Sequence, residues 1–139
     1  MKTVSHEGNQ YVLRFERSEE VIAALKQFCQ QEKIDSGFFQ GLGACSYLKL
    51  AYYDLKNKKY LEKEFARDLE IANVSGNVAI MNGDLIIHMH GTFSNENMKA
   101  LGGHVMSMKA GGTCEMTLTK YSNPMVRKFD EDSGLKLLE

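Results

Sequence analysis

The sequence predicts an α/β fold of the α+β kind: a largely antiparallel β-sheet with one long helix packed on a face of it. Three observations carry this reading. One stretch near the start of the chain repeats its apolar residues at helical spacing. Several later stretches alternate apolar and polar residues with the period of two of a strand. Short clusters rich in Gly, Asn and Lys join them, as hairpin connections do.

Residues 10–16 (QYVLRFE) place Tyr11, Leu13 and Phe15 on one face and Val12 and Arg14 on the other, a first strand. Ser18 stands as a helix N-cap, with Glu19 and Glu20 in the first turn, where carboxylates favour the helix dipole. Val21, Ile22, Leu25, Phe28 and Cys29 recur at helical spacing, so a helix over 19–32 buries one face against the sheet. Residues 38–45 (FFQGLGAC) read as a strand tightly bent at Gly41 and Gly43, where backbone approaches another element. This stretch lacks both the Lys-Ser/Thr of a P-loop and the glycine spacing of a dinucleotide fingerprint, so no nucleotide role is assigned.

Residues 47–54 form the next strand, 56–59 a polar turn and 60–66 the hairpin partner, on which Glu62 and Glu64 share a solvated face. Residues 69–81 (LEIANVSGNVAIM) are apolar around Gly76, which predicts strands divided or bent at Ser75-Gly76-Asn77. Asn82-Gly83 is a strong hairpin signal and leads into a strand over 85–90. A polar turn over 94–99 sends the chain back through His104 and 105–109. Gly111-Gly112 reads as a turn, and 113–121 as the last strand. Pro124, the only proline, ends the pattern. The charged tail is expected to pack loosely, with Leu135, Leu137 and Leu138 available to dock on the body or on a neighbour.

At 139 residues the chain reads as one domain, 1–139, with a core over about 10–121 and a tail over 122–139. Seventeen basic and 18 acidic residues give a net charge of -1, so the excess of Lys and Arg on which phosphate affinity rests is missing. No apolar run approaches the ~20 residues that cross a bilayer, and residues 1–9 lack the apolar centre of a signal peptide. Cys29, Cys45 and Cys114 are odd in number and widely spaced, which fits neither a disulfide framework nor a Cys-x-x-Cys clip. A cytoplasmic protein with reduced thiols and no membrane partner is expected.

The chemistry concentrates in residues 85–104 (LIIHMHGTFSNENMKALGGH), which hold three of the four histidines. In an extended strand, His88 and His90 project from one face with Ile86, their Cα atoms ~6.6 Å apart, while Leu85, Ile87 and Met89 face the other way. A chain that returns after 94–99 brings His104 alongside. Three neutral imidazole nitrogens suit zinc or a similar divalent ion and leave one coordination position open. The same spacing also describes polar residues on a wet sheet face, and spacing alone leaves both readings open.

A wider pattern bears on that choice. Leu69-Glu70-Ile71, Val74-Ser75-Gly76-Asn77, Asn82-Gly83-Asp84, His88-Met89-His90, Leu101-Gly102-Gly103-His104 and Glu115 together resemble the PPC (plants and prokaryotes conserved) domain. Gly41-Leu42-Gly43-Ala44 and Tyr52-Tyr53-Asp54 are similar to the family's earlier half, so the likeness spans about 11–121. The resemblance implies a compact domain that assembles as a homotrimer, with His88, His90 and His104 as a metal-binding unit. Glu70 and Glu115 are candidate acceptors that orient an imidazole from behind, with surface or interface carboxylates as the alternative reading.

In plants the family's domain follows an AT-hook that reads AT-rich minor grooves. This sequence has no Arg-Gly-Arg-Pro core. Where the plant proteins carry Gly-Arg-Phe-Glu-Ile, a segment implicated in partner binding, it has Arg67-Asp68-Leu69-Glu70-Ile71, with Asp68 in place of the arginine. The pattern is similar to the stand-alone prokaryotic form, whose role is poorly defined. The functional expectation is therefore a trimeric binding or regulatory module with a three-histidine divalent-metal site, open to a small-molecule ligand. One alternative is DNA association by analogy with the plant proteins. A second is a metal-dependent enzyme acting on a small molecule, with Glu96 or Glu115 as base and Asn95, Asn97 and Lys99 as anion contacts.

Overall fold

In the computed structural model, which describes residues 1–139, the alternating segments pair as antiparallel strands. In chain order the elements are β1 (Lys2–Glu7), β2 (Gln10–Phe15), α1 (Val21–Gln31), β3 (Gly37–Asp54), β4 (Lys59–Phe65), β5 (Leu69–Met81), β6 (Asp84–Ser94), β7 (Ala100–Lys120), β8 (Arg127–Asp130) and β9 (Leu135–Leu138). Seven strands form one sheet in the order β1-β2-β7-β6-β5-β3-β4, and a further pairing of β7 with β3 closes its middle. β8 and β9 make a separate two-stranded ribbon.

Strand length makes the closure possible. β3 has 18 residues and β7 has 21, roughly 60 and 70 Å of extended chain, so each serves different neighbours along its length. The second half of β7 pairs with β2 and with the first half of β3, from Gly37↔Lys120 to Gly43↔Cys114. Its first residues pair with β6 and with the second half of β3, through His90↔His104 and Ala51↔His104. Inside the closed sheet lie the apolar members of each alternation, among them Leu13, Phe39, Val74, Met89, Met116 and Leu118.

The glycines expected to turn or divide strands bend them instead. Between Gly43↔Cys114 and Cys45↔Ala110, β3 advances two residues while β7 advances four, a bulge that takes up Gly111 and Gly112. A Cβ on Gly111 would lie 3.1 Å from the Cys45 carbonyl carbon, and one on Gly43 would lie 2.2 Å from the Thr113 oxygen. The predicted strands over 105–109 and 113–121 are therefore one strand, as are those over 38–45 and 47–54. β5 is likewise unbroken, and Gly76 is there because a Cβ would sit 2.0 Å from the His88 carbonyl oxygen and 2.5 Å from Phe39 Cζ. Asn82-Gly83 turns the chain as expected, both residues at positive φ (52° and 85°), as the tight hairpin turn requires.

Ser18 is not the helix cap. Its φ is 69° and its N–H donates to the Ala110 carbonyl at 2.8 Å, so the chain is still tied to β7 at that point. The cap is Glu20, whose Oε2 accepts from the Ala23 N–H at 2.6 Å. Its Oε1 accepts from the Met108 N–H at 3.0 Å and the Ser107 hydroxyl at 3.1 Å. One carboxylate thus satisfies the helix terminus and stitches it to the sheet. Val21, Leu25, Phe28 and Cys29 are buried against the core as their spacing predicts.

Both chain ends are more ordered than alternation foretells. Residues 2–7, which have no buried position, form the edge strand β1 through backbone pairing with β2. The tail expected to pack loosely folds back as the β8–β9 ribbon. It is fastened by Ile80 N–H to Met125 O at 2.9 Å, Tyr53 hydroxyl to Ser133 O at 2.7 Å and Lys58 Nζ to Glu131 O at 2.6 Å. Glu62 and Glu64 pair with Lys49 on the solvated face, at 2.6 and 3.6 Å. No helix is long and apolar enough to cross a membrane. All three cysteines are free and buried; burial pushes the Cys29 and Cys114 thiols up to about 12 and that of Cys45 to about 11.

The two glycine roles separate in unfolding experiments. Gly76→Ala, which forces backbone apart, is expected to lower urea stability by about 3 kcal/mol or more. Gly112→Ala, where a Cβ meets nothing within 4 Å, should stay within about 0.5 kcal/mol of wild type. Equal losses would contradict the close-packing argument for Gly76.

Candidate metal centre

Strand register assembles the three histidines. His88 and His90 point outward from β6, opposite Asn77 and Ser75 of β5. On the other side of β6, His104 is the direct partner of His90. The intervening loop holds that register through Asn95, whose Oδ1 accepts from the Asn97 N–H at 3.0 Å and the Lys99 N–H at 3.1 Å.

The ring centroids form a nearly equilateral triangle, 5.0 Å (His88–His90), 5.1 Å (His88–His104) and 5.2 Å (His90–His104) on a side. One nitrogen from each lies within 4.8 Å of the others. A tetrahedral zinc site places its nitrogens ~3.4 Å apart, so ring rotations of the order of an ångström would close the set on an ion. The Nδ1 of His104 is buried with no hydrogen-bond partner, a deficit that a ligated ion would remove. The donor set and its geometry fit a divalent metal.

Desolvation favours the neutral form of all three rings, of which His88 and His104 are half-buried and His90 is exposed. Desolvation is the main cause for His88, pushed down to about 4 with help from the charge of Arg127 and then from His104 and His90. His104 is lowered by burial, then by His90 and Arg127, and His90 by burial alone.

The rings sit at the floor of a cavity of about 530 Å³, walled by Tyr52, Tyr53 and Tyr60 and roofed by Leu135 to Leu137 of β9. Tyr60 lies against His104, centroids 5.3 Å apart. Arg127, only 8% exposed, also lines this cavity. Its Nη2 donates to Asn77 Oδ1 at 2.7 Å and meets His88 Nδ1 at 3.2 Å, while Nη1 donates to the Lys136 carbonyl at 2.5 Å. Arginine has no acceptor, so in this contact His88 Nδ1 accepts and Nε2 carries the proton; to ligate an ion, His88 would offer Nδ1 in place of this contact.

The side chain beside His88 is thus Arg127, a donor, and not the acceptor that Glu70 or Glu115 was expected to supply. Glu70 pairs with Ala44 and Ser94 towards the far end of β5, and Glu115 lies across from Arg14 and Leu42 on the far half of β7, bonded to Thr113. Neither reaches an imidazole, because strand direction carries them away from the His90–His104 pair. Glu96, Asn97 and Lys99 lie beyond the Ser94↔Ala100 pair, four register steps, about 13 Å, from His90↔His104. Asn95 is spent on its turn. The bases named for an enzymatic reading are therefore remote from the three histidines. Arg127 and Asn77 went unread in the sequence: one arginine in a charged tail has no periodicity to mark it, and only the ribbon's return brings it to the site.

The Plants and Prokaryotes Conserved (PCC) domain model matches residues 2–122. The chain belongs to this family. Among solved structures, a candidate DNA-binding protein from Bacteroides thetaiotaomicron is 32% identical, with a TM-score of 0.94 over 97% of this chain and 94% of that one. A candidate DNA-binding protein from Ralstonia eutropha is 30% identical, with a TM-score of 0.87 over 93% and 90%. A metal-containing protein from Archaeoglobus fulgidus is 28% identical, with a TM-score of 0.89 over 100% and 99%. No curated protein matches the sequence.

The histidines also set a pH dependence. Their folded values lie below the unfolded one, near 6.5, so the unfolded chain takes up protons first as pH falls. Stability is complete above about 6.5 and declines towards about 4. The melting temperature of metal-free protein is expected to fall across that window, and His88→Gln should flatten the fall. Parallel slopes in the two proteins would refute the assignment.

Proposed function

We propose that this PCC-family protein is a single-domain homotrimeric binding module, cytoplasmic, in which His88, His90 and His104 hold one divalent ion, zinc by the nature of the donors. The observation that carries this reading is the convergence of three neutral imidazoles, one with an orphaned nitrogen, at the floor of a cavity. The description of the Archaeoglobus fulgidus relative as metal-containing supports it. A bound ion would supply a Lewis-acidic position open to a ligand, and the protein would supply its orientation and the shelter of the β9 roof. The trimer rests on the family resemblance. It is supported by an outward sheet face on which Val12, Phe38 and Leu42 are 37, 41 and 57% exposed.

A second reading, DNA association, is favoured by the description of the Bacteroides and Ralstonia relatives as candidate DNA-binding proteins. The net charge of -1 and the missing Arg-Gly-Arg-Pro core weigh against it. Retardation of an AT-rich duplex at moderate salt would support it.

Elemental mass spectrometry of purified protein is expected to find one zinc-like ion per chain, and none in His90→Ala. Light scattering should give three times the 15.7 kDa chain mass. No metal after incubation with excess zinc would refute the metal site, and a monomer mass would refute the trimer.

A further inference from the structure

Arg127 is a buried cation without a counter-ion. It belongs to none of the protein's ion pairs. Its hydrogen bonds go to uncharged groups, the Asn77 amide, the neutral His88 ring and a backbone carbonyl. Three of the five guanidinium N–H groups are used this way, which leaves one on Nη1 and the one on Nε, and Nε is buried without a partner. Burying a charge unneutralised is among the costliest arrangements a fold can keep.

The surrounding cavity has the matching bias. Arg127 lines it together with three histidines and three tyrosines, no Asp or Glu does, and Lys136 contributes the carbonyl that Arg127 holds. A space holding a guanidinium with unpaired N–H groups and three tyrosines, beside a metal's open position, selects an anion. The rest of the wall is apolar: Ile86, Leu135, Leu137 and the tyrosine rings. Its volume of about 530 Å³ is that of a small-molecule site. Arg127 and the leucines lie beyond residues 2–122, so the family match does not reach them.

We infer that this cavity binds a small organic carboxylate, its carboxylate group held between Arg127 and the metal's open position and its apolar body against Tyr60, Leu135 and Leu137. The metal contact rests on the function proposed above, whereas the Arg127 contact does not.

Calorimetric titration of the full chain with benzoate, in metal-free and zinc-loaded form, tests this against benzamide, its neutral counterpart, and against inorganic phosphate. Benzoate is expected to bind in both forms, more tightly with zinc, and about tenfold or more tightly than benzamide. Arg127→Lys keeps the charge and loses the planar fork, and should weaken benzoate binding about tenfold. If that variant fails to fold by circular dichroism, the wild-type comparison of benzoate with benzamide decides. Equal binding of the two, tighter binding of phosphate, or a folded Arg127→Lys with unchanged affinity would overturn the inference. Zinc is measured on the same samples. Benzoate binding without zinc uptake would uphold the anion site and remove the metal reading, and zinc uptake without benzoate binding would do the reverse.

Discussion

The pairing of β3 with β7 is the constraint on which the rest depends. Without it the sheet would be open, and only the β6–β7 pairing and its Asn95 turn would hold His104 beside His90. A slip of one residue would turn His104 into the core and Val105 out to water. With it, both edges of β7 are occupied near His104, by His90 on one side and Ala51 on the other. Backbone hydrogen bonds on two sides then fix where the imidazole stands. The bulge at Gly111 and Gly112 is the device that lets one strand serve both ends of the barrel, since it bends β7 without interrupting it.

Around the site, electrostatics and packing pull in one direction. The β8–β9 ribbon lines the cavity beside the histidines and touches His88 through Arg127, whereas His90 stays exposed. The same ribbon buries Arg127, which then adds its charge to the forces that keep His88 unprotonated. A cation behind a metal ligand is an unusual companion, because it repels a second cation as well as a proton. That repulsion is tolerable if an anion shares the cavity, and the lining offers no anion of its own. The ribbon is accordingly part of the site, and its fastening to Ile80 and Tyr53 is what sets Arg127 beside His88.

The elements that the sequence displays are those governed by near neighbours in the chain. Alternation identifies the faces of β2 and β6, helical spacing the buried side of α1, and Asn82-Gly83 the turn before the histidine strand, because each depends on residues within a few positions. The outward direction of His88 and His90 follows from the same period of two. The family resemblance, with its Gly-Gly-His segment, supplies the third histidine as their companion. All of this is legible in the sequence alone.

What only the tertiary structure decided is whatever depends on a distant partner. A glycine signals that a side chain would be costly but not whether the reason is a turn, a bulge or a neighbouring strand; Gly76 and Gly111 answer to Phe39 and Cys45, far off in sequence. Ser18 has the chemistry of a cap, yet β7 claims its backbone and leaves the capping to Glu20. Arg127 reaches Asn77 and His88 across separations of 50 and 39 residues. Local propensity carries no trace of such contacts, since they exist only once the sheet has closed and the ribbon has folded over it.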